Sequence, residues 1–132
     1  MGLLQLKLVR ELLERNGISY EVSEHAAVYT SGAAAKVRGV ALKTGVKALV
    51  LKTEKGSFVM GLVAADRKIN LKKLAKVVEA KRLQLASVEE VLKLTGCEVG
   101  SVHPFGNLHG LPTYLDKSVL ENDFVNFNAG LH

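Results

Sequence analysis

The stretch VKALVLKTEKGSFVMGLVA, residues 46–64, reads as two strands joined by a tight turn. Val46 to Thr53 forms the first arm, Glu54-Lys55-Gly56 supplies a hairpin turn, and Ser57 to Ala64 returns as the partner. Side chains alternate between faces along a strand, so Lys47, Leu49 and Leu51 point one way. Both arms are apolar on both faces, which predicts a sheet covered on two sides.

Upstream, residues 3–15 have the pattern of an amphipathic helix, with Leu4, Leu8 and Leu12 as its stripe and Val9 and Leu13 beside them. Asn16-Gly17 supplies the stop, because glycine tolerates the left-handed conformation that ends a helix. Ile18, Tyr20 and Val22 alternate with polar residues and predict a half-buried strand, which Ser23-Glu24-His25 leaves. Thr30 or Ser31 is placed to cap a short helix from Gly32 to Arg38.

Downstream, Asn70 caps a helix expected over Leu71 to Glu79, with Leu71, Leu74 and Val78 inward and Lys72, Lys73 and Lys76 outward. Arg82 to Ala86 predicts a short strand. Ser87 and Glu90 have the spacing of a capping box, and the helix they open runs to Thr95, where Gly96 ends it. Thr113 to Leu115 reads as a short strand, Lys117 to Asn122 as one helical turn or a loop, and Phe124 to Asn128 as a last strand. The mixed order of helices and strands, without repeat or linker, predicts one α/β or α+β domain over residues 1–132 with a mixed sheet.

The composition fits that reading. The chain has 132 residues, 48% hydrophobic and 23% charged, and can bury a core without disulfides. Cys97 is its single cysteine, which fits a reducing compartment. No apolar run approaches the ~20 residues of a membrane span, and the alternating N-terminus is unlike a signal peptide, so a cytoplasmic protein with no membrane partner is expected. Charge is unevenly spread. Residues 36–82 hold 13 Lys or Arg against three acids, Glu54, Asp66 and Glu79, while the remainder is net acidic. A lysine-rich solvated face would produce this pattern, and so would a surface for a polyanion such as nucleic acid.

Several chemistries are excluded by pattern. The four histidines lack partners at metal-ligand spacing, and no metal site is expected. There is no GxSxG elbow and no phosphate loop of the GxxxxGK type, no two acids stand out as a catalytic pair, and Cys97, a candidate nucleophile, reads more readily as a small buried apolar residue. Two features remain. The first is GCEVGSVHPFG, residues 96–106, with three of the 12 glycines and one of the two prolines. Such a loop is either an ordinary helix-to-strand connection or shaped backbone for close approach to a ligand. The second is Lys47, which opens an apolar strand. It either snorkels from the strand end or holds a cation at the rim of a pocket for phosphate or carboxylate.

Lys47 within GVKALVLK, then FVMGLVAADRKINLKKLAK, the VGSVHPFG loop, LPTYLD and FVNFNAG occur in that order over residues 18–132. In this the chain resembles the YbaK-like, prolyl-tRNA synthetase-associated editing domains. The resemblance implies a mixed, partly barrel-like sheet flanked by helices, and an aminoacyl-tRNA deacylase that hydrolyses the ester of mischarged tRNA. It implies catalytic roles for Lys47, holding the terminal adenosine phosphate, and for Gly100, whose loop polarises the ester carbonyl. Substrate contacts are implied for Ser23, His25 and Thr30, for Ser101, Val102, His103 and Pro104, and for Ala129 and Gly130 at the far wall of the pocket. His103 and His132 are candidate polar contacts or surface histidines. No cofactor or metal is implied. Mischarged aminoacyl-tRNA is the implied partner, with prolyl-tRNA synthetase a candidate second. Ala129 stands where the cysteine-clearing branch has serine, and Ala48 where the alanine-clearing branch has asparagine, so neither specificity transfers. A non-catalytic RNA-binding module on the same fold and a small-molecule hydrolase are the alternatives.

Overall fold

The computed structural model describes residues 2–22, 35–36 and 41–130. The hairpin forms as its residues dictate. β1 (Val46–Thr53) and β2 (Phe58–Ala64) are antiparallel, with Lys47 opposite Val63, Leu49 opposite Gly61 and Leu51 opposite Val59. Gly56 takes a positive φ of 83° in the turn, and Thr53 and Ser57 close it through backbone and hydroxyl bonds. β3 (Leu83–Leu85) pairs antiparallel with β1, and β4 (Thr113–Leu115) runs parallel to β2, for the order β3-β1-β2-β4.

The sheet is covered on both faces, as its two-sided apolar pattern requires. On one face Val50, Met60 and Leu62 pack with Val91, Cys97, Val102 and Leu111. On the other, Leu51 and Val59 pack with Ala75 and Leu83, flanked by Leu49, Leu71, Leu74 and Val78. The second face is covered by α2 (Leu71–Val78), whose start is capped by Asn70 accepting from the Lys73 N–H at 3.0 Å. α3 (Val88–Thr95) covers the first. Ser87 and Glu90 make both bonds of the capping box, and Gly96 ends the helix at φ 69°.

α1 (Gly2–Arg15) ends as expected at Asn16-Gly17. Ile18 donates to the Leu13 carbonyl and Gly17 to that of Glu14, which ties off two orphan carbonyls in a Schellman arrangement. Its buried stripe, however, is Gln5, Val9 and Leu13, not Leu4, Leu8 and Leu12; Leu4 is 59% exposed. The inward face is rotated by one residue and carries a glutamine.

Three further expectations are corrected. Residues 18–22 make no strand: Ile18 and Val22 are exposed, and Tyr20 is held by side-chain bonds with Glu14 and Arg10. Residues 124–128 contribute only a one-residue parallel bridge, Asn126 to Gly45, because Phe124 and Val125 are exposed and only the Asn126 backbone meets the β1 end. The sheet among the described residues is open, not barrel-like: β3 and β4, each three residues long, are its two edges. Lys117–Glu121 is a 3-10 turn, within the range expected there. The expected Gly32–Arg38 helix lies outside the described residues except for 35–36, which are helical.

Candidate active site

The loop after α3 is built from its own backbone. The Ser101 N–H and hydroxyl both donate to the Glu98 carbonyl, at 3.0 and 2.8 Å, which folds Glu98 to Ser101 into a tight turn. Gly100 completes that turn at φ 89°, a conformation that side-chain-bearing residues rarely adopt. The chain then dives inward. Ser101, Val102 and His103 are all buried, and Pro104 is half-buried.

The chain's C-terminal segment runs along this turn. The Asn128 side chain donates to the Gly100 carbonyl at 2.6 Å, and the Gly130 N–H donates to the Ser101 carbonyl at 3.0 Å. Two residues earlier, the Asn126 carbonyl accepts from the Val46 N–H at 2.8 Å, and the Asn126 N–H donates to Thr44. Two residues of chain span at most about 7 Å. One short segment therefore ties the Gly100 turn to the start of β1, where Lys47 sits. Ala129 is half-buried between these ties, and Gly130 is buried at φ 98°.

Lys47 leaves β1 on the α2 face, with Leu49 and Leu51, whereas Val102 packs on the α3 face. Its ammonium donates to the Arg67 carbonyl at 2.6 Å in an exposed bond just beyond the end of β2. The backbones of the two sequence-predicted halves thus come to one end of the sheet, and the lysine side chain departs from the face opposite Val102. Ser23, His25, Thr30 and His132 lie outside the described residues.

His103 is not a surface histidine. Its exposure is 0%, and its ring touches that of His109, Nε2 to Nε2, at 2.9 Å. Sequence reasoning passed over His109 and Gln5, the latter 3.3 Å from His103 Nε2. The available signal was the spacing of Gln5, Val9 and Leu13, a polar residue in a helical stripe that recurs every four positions. Burial, and then the neighbouring His109, push His103 down to about 4; burial lowers His109 as well. Cys97 is buried and its thiol is pushed up by that burial, which makes it a packing residue and not a nucleophile. Among the described residues no cluster of three or more His, Cys, Asp or Glu is arranged to hold a metal.

At the far end of β1 the basic belt forms a groove of about 310 Å³, lined by Lys52, Lys55 and Arg82 around Glu54. Glu54 accepts from the Lys81 and Arg82 N–H groups, and these bonds lower its carboxyl. Lys52 is held 2.8 Å from Glu90 and over the Phe58 ring.

The sequence profile described as "Aminoacyl-tRNA editing domain" matches residues 25–132. The chain belongs to the aminoacyl-tRNA editing domain family. This editing domain is 37% identical over 124 residues to the "Multifunctional Ser/Thr-tRNA deacylase ProXp-y" of Escherichia coli (strain K12), covering 91% of this chain and 74% of that protein. It is 39% identical over 85 residues to a "Proline--tRNA ligase" of Caldicellulosiruptor bescii, covering 63% of this chain but 14% of the ligase. Among solved structures, a candidate trans-editing enzyme for prolyl tRNA synthetase superposes with a TM-score of 0.82 at 32% identity, over 96% of this chain and 81% of that one. The family and the mixed α/β fold expected from the sequence are therefore shown, though not the partial barrel, and with them the activity of an aminoacyl-tRNA deacylase. No helix among the described residues is long and apolar enough to cross a membrane.

Substituting Gly100 tests the turn itself. Alanine at φ 89° will be strained, so Gly100→Ala is expected to cost about 1–2 kcal/mol of stability, read as a lower denaturant midpoint. It is also expected to lower deacylation more than binding. An unchanged midpoint would show that the turn relaxes freely.

Proposed function

We propose that residues 1–132 act as one trans-editing domain that clears mischarged tRNA in the cytoplasm, with Lys47 and the Gly100 turn as the two halves of its site. The observation that carries this reading is the backbone junction at one end of the sheet. Gly100 and Ser101 are bonded to Asn128 and Gly130, and the same segment is bonded to Val46, next to Lys47. An aminoacyl ester is already activated, so positioning and charge stabilisation suffice without a protein nucleophile. In this reading Lys47 swings from the Arg67 carbonyl to a phosphate oxygen of the terminal adenosine. Backbone N–H groups of the Gly100 turn stabilise the carbonyl oxygen as water adds to the carbon. The ester C–O bond then breaks, the ribose oxygen takes one proton of the attacking water, the other passes to solvent, and the amino acid leaves as its carboxylate. In this reading Ala129 and Gly130 form one wall for the amino-acid side chain; Ser23, His25 and Thr30 are assigned to substrate by the family resemblance and lie outside the described residues.

The basic belt would engage the tRNA backbone, with affinity that falls steeply with salt. Association with prolyl-tRNA synthetase belongs to the same reading, supported by the proline–tRNA ligases that share part of this sequence. A deacylation panel tests it. Alanyl-, cysteinyl-, seryl- and threonyl-tRNAs are incubated with the protein, the seryl and threonyl forms first because the Escherichia coli relative carries that name. At least one should be hydrolysed faster than it decays alone. Salt-dependent tRNA binding with no ester cleavage would replace the reading by a non-catalytic RNA-binding module. Cleavage of simple aminoacyl esters without tRNA affinity would replace it by a small-molecule hydrolase.

A further inference from the structure

We infer that His103 is a positioning residue that holds the Gly100–Gly106 loop through the Phe105 amide, and that it does so only as the neutral Nε2–H tautomer. The inference rests on the reading of that loop as the half of the site that stabilises the ester carbonyl.

Two neighbours fix the tautomer independently. The Phe105 N–H donates to His103 Nδ1 at 3.2 Å, so Nδ1 carries a lone pair and no proton. A neutral imidazole then has its proton on Nε2. That nitrogen lies 3.3 Å from Gln5 Oε1, an acceptor, and 2.9 Å from His109 Nε2. One proton serves both contacts, so His109 Nε2 is an acceptor too, and the His109 proton resides on Nδ1. Gln5 also lies against the end of α3: a Cβ at position 96 would stand 2.8 Å from its Nε2. α1, the end of α3 and the loop therefore converge on one buried ring.

Among the described residues, the groups facing that ring are few. Gln5 comes from α1, His109 from the 3-10 turn Gly106–His109, and the Cys97 thiol takes a hydrogen bond from the His103 backbone. The Phe105 ring stands 6.1 Å away. None of these is a carboxylate. A second proton on His103 would set an N–H against the Phe105 N–H, and a proton on His109 Nε2 would oppose the one on His103. Protonation therefore breaks the bond that holds Phe105, immediately after Pro104. The ring, at 0% exposure, acts on the substrate through the loop and not by contact.

The test compares His103→Asn, His103→Gln and His103→Ala with the unaltered protein. Asparagine places an acceptor oxygen near the position of Nδ1 and can keep the Phe105 N–H, whereas glutamine reaches outward toward Gln5 and His109 and cannot. The expected result is a kcat loss of about tenfold or more in the glutamine and alanine variants with KM little changed, rescue of kcat in the asparagine variant, and a flatter acid limb of its pH profile. A merely structural role would lower the thermal midpoint of all three without that order. Nitrogen-15 imidazole spectra of the unaltered protein give a readout that needs no activity. A protonated Nδ1 on His103, or a Phe105 amide that exchanges as a free one, overturns the inference. If the unaltered protein clears no tRNA, the deacylase reading fails, and the tautomer and Phe105 protection still decide the loop's anchor. If it clears tRNA and His103→Ala retains full kcat, the positioning role fails and the deacylase reading stands.

Discussion

Lys47→Ala is expected to lower kcat/KM for tRNA deacylation by about 10²–10³-fold, the usual size of the loss when one preorganised charged or polar contact is removed from a site. The fold should survive the change. The Lys47 ammonium bonds the Arg67 carbonyl in an exposed position, where water can take its place, and the stem starts a strand that Leu49 and Leu51 continue into the core. Lys47→Arg keeps the charge but replaces a compact ammonium with a planar fork, so partial activity is expected. Lys47→Met keeps the stem and loses the charge, so it should behave as alanine does. Single-turnover deacylation with each variant, beside thermal melts, separates the two effects. Undiminished turnover in Lys47→Ala with an unchanged melt would remove Lys47 from the site.

Stability is expected to fall on mild acidification, before carboxylates begin to titrate. His103 is neutral in the folded protein down to about 4, because burial and His109 oppose its charge, whereas in the unfolded chain it takes a proton near 6.5. Between those values the unfolded state binds more protons than the folded one. The contribution is thus fully present above about 6.5, is lost as the pH falls through the window, and levels off below the folded value. The full window is worth about 3 kcal/mol, and the part between pH 7 and pH 5 roughly 2 kcal/mol. His109, also lowered by burial, adds in the same direction. Glu54, Glu90 and Asp116 are lowered by their hydrogen bonds, so they too favour the fold only while ionised, but in a more acidic window. Urea midpoints at pH 7 and pH 5 measure the histidine share. His103→Asn should flatten the difference, and an equal drop in that variant would assign the effect elsewhere.

How much of this was legible in the residues differs by element. The hairpin of residues 46–64, the caps at Asn70 and Ser87 and the stop at Gly17 depend on local spacing, and they form as their spacing demands. The alternation along Ile18, Tyr20 and Val22 has the same local signal as a strand, yet no neighbour among the described residues pairs with it, because a strand is completed by a partner that its own residues do not name. Phe124 to Asn128 fails for the same reason beyond Asn126. The proposed site was drawn from Lys47 and the glycine-rich loop, since a cation on an apolar strand and three glycines with a proline are conspicuous in one dimension.

By itself, the sequence determined the two-sided sheet, the ends of its helices, the family and hence the reaction. The sheet and the helix ends follow from periodicity and capping among residues near one another along the chain, whereas the family follows from the order of motifs over residues 18–132 and the reaction from that resemblance. Only the tertiary structure decided that residues 126–130 bind the Gly100 turn to the start of β1, and that Gln5, His103 and His109 share one proton-poor core. Those contacts join residues up to 98 positions apart. Their chemistry is set by burial, which removes water from His103 and leaves its protonation to whichever neighbours the fold supplies.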